Sequence, residues 1–551
     1  MRRSMLQLSL AASAAAALLA ACGGSDYDNP APAPGPAPAP SPAPTPVQVG
    51  DTVALTASGK IISFNRATPG TMLGSIGVSG LASGESLLGI DFRPADAKLY
   101  ALGSAGNVYT IEPSTGVATL KVTLKAMTGD DDPFAALVGS DFAVDFNPAA
   151  DRMRVVSNSG QNLRINVDTG DATTDAVISL AGGAPHVTAA GYTNAFFGTT
   201  TTQLFDIDAA SGLLHLQDPP NNGTLAAGLA LGVTGAQVNG FDIDARNNAG
   251  YAALTVAGTT NLYRVNISSG AATAVGAIAG GEMVRGLALQ QPAAPTVLGL
   301  TTTNQLVAFD PKAPNTITST TPITGLNAGD SVIGIDVRPK DGLLYALTRA
   351  GVLYTVNPAT GAATLKATLA ADPADASAPF TALTGNVFSV DFNPMADRLR
   401  VIGDGGQNLR IVPDTGLTTT DAMINRAGTA PMLLASAYSN SFDGTTSTML
   451  FNLDAASDVL TLQAPPNDGT LANIGALGID ISGMAGFDIA GGANGLALAA
   501  LRSGASGPFT LYSVSLTTGA ATLYRNTSGN AALNQIGGAN GPALLDIAIR
   551  F

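Results

Sequence analysis

Apolar and polar residues alternate along most of this chain in short runs. Val108-Tyr109-Thr110-Ile111-Glu112 and Leu163-Arg164-Ile165-Asn166-Val167 repeat with period two, and Pro-Ser-Thr-Gly or Asp-Thr-Gly closes each run. That pattern predicts half-buried strands separated by turns. Longer helical patterns are absent outside the N-terminal segment. Four such strands recur in units of roughly 40 to 50 residues, the signature of a β-propeller blade. Residues 87–124, 142–175, 187–219 and 240–278 form four units. Residues 52–78 offer three strands lacking an innermost one, and 284–290 (VRGLALQ) offer an innermost strand without a blade. Joined, they predict a fifth blade closed by both ends of the ring, leaving no free sheet edge.

The whole arrangement is then written again. Residues 144–165 read VDFNPAADRMRVVSNSGQNLRI and residues 390–411 read VDFNPMADRLRVIGDGGQNLRI, identical at 16 of 22 positions. Residues 87–288 correspond to 331–548 nearly end to end, with LDIAIRF at 545–551 as the second closing strand. The expected fold is all-β: two tandem propeller domains, 51–291 and 292–551, of about five four-stranded blades each. If 284–290 ran on through 297–310 as an ordinary blade, one continuous ring of about ten would result instead.

Composition adds a compartment. Charged residues make up 12% of the chain, net charge is −14 and no Trp occurs. No Lys/Arg cluster lies beyond the N-terminal segment, which argues against nucleic acid as a partner. Residues 1–21 carry Arg2 and Arg3 before an apolar stretch, as a signal peptide does. Leu19-Ala20-Ala21-Cys22 resembles a bacterial lipobox, which implies cleavage before Cys22 and acylation of that residue. Acyl chains worth ~0.8 kcal/mol per buried methylene would then hold the protein to a membrane. No Asp follows Cys22, which by resemblance to the sorting rules of two-membrane bacteria implies the outer membrane or cell surface. In the linker, 22–50, Pro stands at every second position from Pro30 to Pro46, an extended spacer of roughly 50 Å at ~3.1 Å per residue. Cys22 is the only Cys, so no intrachain disulfide supports the fold.

The motifs GIDFRP, LYAL and VYTIEP, then VDFNP, ADR and GQNLR, then LFDIDAASG and QDPPNNGTL, stand in the first half, and the second repeats them identically or as close variants such as GIDVRP and QAPPNDGTL. Together they resemble the bacterial domain of unknown function 4394, over about 53–290 and 297–551. That family usually follows a signal peptide and often occurs in single copy, which implies domains that close independently. The resemblance implies no established activity.

Catalytic chemistry is narrowed by counting. His186 and His215 are the only His, and Met432 and Thr461 stand at their counterparts, so no His-based site serves both copies. No GxSxG or HExxH occurs, and a lipidated Cys22 removes thiol and Cys/His zinc chemistry. GSAGN and GDGGQ read as hairpin turns, because no helix follows them. Carboxylate-only acid–base chemistry stays open.

The twice-written polar residues are the binding candidates: Asp145, Asn147, Arg152, Arg154, Gln161, Asn162 and Arg164, with Asp391, Asn393, Arg398, Arg400, Gln407, Asn408 and Arg410. Alternation places Asp145 and Asn147 opposite Phe142, Val144 and Phe146. Asp91, Asp242, Asp336 and Asp488 recur at the register of Asp145 and Asp391. Two readings are open. Either these groups pair with Arg or backbone N–H of the adjacent blade and fix the ring register, or they form a ring at the channel mouth that binds Ca2+ or a polar ligand such as a sugar. Asp242, Asp244 and Asn247 resemble part of a calcium loop, although the second copy lacks the second Asp. The Pro219-Pro220-Asn221 and Pro465-Pro466-Asn467 segments read as rigid exposed loops. The expected function is a cell-envelope lipoprotein acting as a binding module for an extracytoplasmic protein or polysaccharide. No cofactor is required, with Ca2+ as the candidate ion. A metal-dependent propeller hydrolase or lactonase-like enzyme is the alternative.

Overall fold

Ten sheets, each built on four antiparallel strands, follow one another among the described residues, and three of them add a short parallel edge strand. The computed structural model describes residues 45–551 apart from 234–236, 291–294, 377, 492–494, 505 and 525–528, and no α-helix occurs among them. The segment expected to be a signal peptide, Cys22 and nearly all of the Pro-rich stretch expected to be a linker lie outside the described residues.

Blade one is Thr52–Thr56, Lys60–Phe64 and Met72–Gly77, completed on its inner edge by Val284–Leu289, with Val53 opposite Ala288. Blades two to five span 87–123, 142–174, 187–225 and 237–277. Their inner strands, Leu87–Phe92, Phe142–Asn147, Val187–Tyr192 and Gln237–Ile243, contact one another in order. Val284–Leu289 closes the circle between the last and the first. The second ring repeats this. Leu544–Arg550 completes the blade begun by Thr296–Thr301, with Val297 opposite Ile549. It closes a circle with Val332–Val337, Phe388–Asn393, Leu433–Tyr438 and Gly486–Ala490. Because Val284–Leu289 pairs back to Thr52–Thr56, the continuous ten-blade ring is excluded.

The core lies between blades. Tyr100, Phe146 and Met153 fill the gap between the second and third, with the Tyr100 and Phe146 rings edge-on at 5.2 Å. Five inner strands about one axis stand very close: a Cβ at Gly240 would sit 2.7 Å from the Leu287 nitrogen, and one at Gly486 2.6 Å from that of Ile547. Only a side-chain-free residue fits there. On the first ring's axis this leaves a cavity of about 10 Å3, lined by Gly89, Ala143, Ala190, Gly240 and Gly286. That is about the room of one water, so this cavity cannot admit a sugar.

The rings pack together as part of one compact unit. Phe196, on the loop after the fourth inner strand, enters an apolar cluster of the second ring with Leu496, Phe509 and Ile549. Its ring meets Phe551 edge-on at 5.1 Å.

Candidate functional site

On each axis, three carboxyl groups converge. One oxygen from each of Asp91, Asp145 and Asp242 lies within 4.8 Å of the others, and Asp336, Asp391 and Asp488 repeat this. Each is buried and aimed at the next blade. Asp91 accepts from the backbone N–H of Phe146 at 2.8 Å, Asp145 from Tyr192 at 3.1 Å and Asp242 from Leu289 at 2.6 Å. In the second ring the donors are Phe392, Tyr438 and Ile549, at 2.7, 2.8 and 2.5 Å. The other oxygens of Asp91 and Asp242 accept from Phe92 and Ile243. These are register stitches between neighbouring inner strands. Burial, then mutual repulsion, holds Asp91 and Asp145 well above the ordinary carboxyl range, and burial lifts Asp242 to about 7. Asp546 adds a carboxylate to the second axis, accepting from Ile335 at 3.0 Å. The sequence reading missed it, because it stands two residues off the repeated register, opposite Gly286 of the first copy.

The repeated polar residues build a second lock, between blades three and four. Arg154 is 2% exposed. It donates to Asn162 Oδ1 and Asn221 Oδ1, both at 2.8 Å, to Asp175 at 2.6 Å and to Tyr192 Oη at 3.2 Å. Tyr192 and Asn221 belong to the neighbouring blade. Arg164 grips both oxygens of Asp175 at 2.7 and 2.9 Å. Asn162 reaches across to the Pro220 carbonyl at 3.1 Å. Gln161 clamps the preceding loop through Val138 N–H and Ala136 O, each at 2.9 Å. Asn147 and Arg152 order the local turn.

In the second ring Arg400 repeats each of these distances to Tyr438, Asn408, Asp421 and Asn467. Arg410, Gln407, Asn393 and Arg398 hold the corresponding partners. The partner of Arg154 is therefore Asp175, although Asp145 lies directly across the ladder from it. The Pro-Pro-Asn segments do not project as free tips. They fold into single turns, Pro220–Asn222 and Pro466–Asp468, that latch onto the preceding blade.

A third lock joins blades two and three. Arg93 spans Asp151 at 2.6 Å and Asp168 at 2.8 Å, and Arg338 does the same with Asp397 and Asp414. Asp242 and Asp244 do not converge into a calcium loop. Asp244 pairs with Arg66 of blade one, while Asp242 faces the axis and Asn247 caps the turn at Ala249 N–H.

Behind Arg154 the two copies differ. Asp206 and His215, opposite each other on adjacent strands, are fully buried, and Asn452 and Thr461 replace them in the second ring. His215 Nδ1 donates to the Ala226 carbonyl at 2.8 Å. Neither Asp206 oxygen has a hydrogen-bond partner among the described residues, and burial pushes its carboxyl up to about 8, against a smaller opposing pull from Arg154. The folded state thus holds a proton that the unfolded state releases near pH 4, so this group makes stability fall as pH rises from about 4 to 8. Asp206→Asn, the residue type the second copy already uses, should flatten that slope. At pH 7 it should stabilise the protein by at most roughly 4 kcal/mol. Thermal melts of both proteins at pH 5 and 7.5 check this: equal losses on raising the pH would contradict it.

An open cavity of about 630 Å3 lies between the rings, within the span of ligand pockets. The loop Asn440–Ser447 forms one wall, and residues 247–249 and 264–273 of blade five form the other. The arrangement is nearly two-fold, because the equivalent loop of the first ring, residues 194–201, rests on the last blade of the second, residues 486–523. A second cleft of about 330 Å3 there is lined by Met449, Leu496, Leu516 and Tyr524. Sequence reasoning could not find either cleft, since each exists only where one copy packs on the other.

A sequence profile for a domain of unknown function, DUF4394, matches residues 60–288 and again 305–537. The chain belongs to this family. Both DUF4394 copies fall within the rings traced above, the first ending at Ala288 inside its closing strand. No curated protein matches the chain. A solved structure described as "Structure of Dos1 propeller" aligns at 12% identity over 64% of this chain and 90% of its own, with a TM-score of 0.24. That likeness is too distant to carry weight, and the propeller assignment stands on the strand pairing.

Proposed function

We propose that this tandem DUF4394 protein is a binding module of the bacterial cell envelope, anchored by a lipid on Cys22 and held off the outer membrane by its Pro-rich linker. The observation that carries the binding role is the inter-ring cleft. Most Asp and Arg groups repeated in both copies pair within a blade or across a blade boundary, whereas the cleft is open and lined by amides and hydroxyls at Asn247, Asn266, Ser268, Asn440 and Thr446. Loops on a rigid scaffold are where binding chemistry concentrates. Thr446 is exposed, so Thr446→Trp should plug the cleft without disturbing the fold. Purified chain should be retained on envelope polysaccharide and the Trp variant should not; equal retention would contradict the assignment.

The anchor has its own test. Cys22→Ala removes the acyl acceptor while leaving residues 45–551 unchanged. The variant should stay an unacylated precursor and take up no palmitate label. Palmitate incorporation by the variant would exclude Cys22 as the lipid site.

A further inference from the structure

We infer that the inter-ring cleft takes an acidic oligosaccharide, a short run of sugars bearing a uronic-type carboxylate read by Arg264. The inference rests on the cleft being the binding site proposed above. Sugar hydroxyls both donate and accept, and so do the amides and hydroxyls that line this cleft, so such a ligand exchanges its water contacts without stranding a charge. Asn247 and Asn266 each use only the side-chain oxygen locally: Asn247 accepts from Ala249 N–H, and Asn266 from Ser268 and Ser269 N–H. Their Nδ2 groups make no hydrogen bond among the described residues and remain available as donors. Phe442, on the facing loop, supplies an apolar surface for the C–H face of a sugar ring.

Charge selects within that class. Arg264 is exposed, lines the cleft and forms no ion pair among the described residues; no Asp or Glu lines the cleft. In a chain of net charge −14, an unpaired guanidinium in an otherwise neutral cleft favours an anion, and its planar fork suits a carboxylate. The other copy lacks this feature. Ser513 stands at the position of Arg264, Ser515 at that of Asn266, and Leu496, Leu516 and Met449 line the smaller cleft. The two copies therefore agree at the locks built on Arg154 and Arg400 and on Arg93 and Arg338, and differ where they face each other. One acidic-sugar site per chain is the consequence, built jointly by blade five of the first ring and the Asn440–Ser447 loop of the second.

Calorimetric titration of the full chain with trigalacturonate, against maltotriose as a neutral sugar of equal length, tests this. Trigalacturonate should bind saturably with one site per chain, and maltotriose at least about tenfold more weakly, the value of one charge-assisted hydrogen bond. Arg264→Ala should weaken trigalacturonate by at least about tenfold and leave maltotriose unchanged, with an unaltered melting temperature because the side chain is exposed. Absence of saturable trigalacturonate binding overturns the inference, as does an Arg264→Ala variant that binds it as tightly as the parent. Loss of polysaccharide retention in Thr446→Trp alongside either outcome would leave the cleft as the binding site and reject only the acidic sugar.

Discussion

A chain that stops at residue 543 loses the cooperative melting of its second ring. Residues 544–550 lie last in sequence but innermost in space, paired to Thr296–Thr301 and packed between the inner strands Val332–Val337 and Gly486–Ala490. Removing them withdraws Leu544, Ile547 and Ile549, all buried, at about 1.5–3 kcal/mol each. It also removes the Ile549 N–H that Asp488 requires and the Asp546 carboxylate that holds Ile335. The sum exceeds about 5 kcal/mol, comparable to the whole stability of a domain. The edge left bare at Thr296–Thr301 would invite aggregation. Scanning calorimetry should show the heat of the second ring missing, and a peptide of residues 544–551 supplied in trans should restore part of it, as donated strands do. A truncated chain that melts with the parent's enthalpy would mean that the closing strand does not close the ring.

Blade number and closure were legible in the sequence because they follow from local signals. Period-two runs mark strands, and a lone inner strand at 284–290 fits the blade that 52–78 leaves incomplete; its pairing with Thr52–Thr56 decided against continuation into 297–310. The axial Asp register was legible for the same reason, since parity along a strand dictates which face a side chain takes. Parity does not say which neighbour is met there. Asp145 stands across the ladder from Arg154, yet the guanidinium reaches past it to Asp175 and over to Asn221. The repetition of Asp175 as Asp421 was the available signal for that partnership. Asp546 was hidden by its two-residue offset. The cleft depends on how ring rests on ring, through Phe196 and its loop, and no local pattern encodes that.

Arg154→Ala should destabilise the protein by about 3–5 kcal/mol, the cost of breaking a buried ion pair from one side. The loss leaves Asn162 Oδ1, Asn221 Oδ1 and the Tyr192 hydroxyl without their charged donor in a gap that water does not reach freely. Asp175 keeps only Arg164. Arg400→Ala should cost the same, because its contacts repeat those of Arg154. Arg164→Ala should cost far less, about 0.5–1 kcal/mol, since its side chain is 36% exposed and solvent screens the pair. Urea unfolding of the three variants checks the order; a near-zero loss for Arg154→Ala would put that guanidinium in solvent.

The central claim is that the polar segment written twice in this chain joins blade to blade. A double-mutant cycle between Arg154→Ala in blade three and Asn221→Ala in blade four isolates the contact that crosses that boundary. The account predicts a coupling energy of about 1–3 kcal/mol, that of a hydrogen bond to a charged donor in a shared network. Two losses that simply add, to within about 0.3–0.5 kcal/mol, would contradict it.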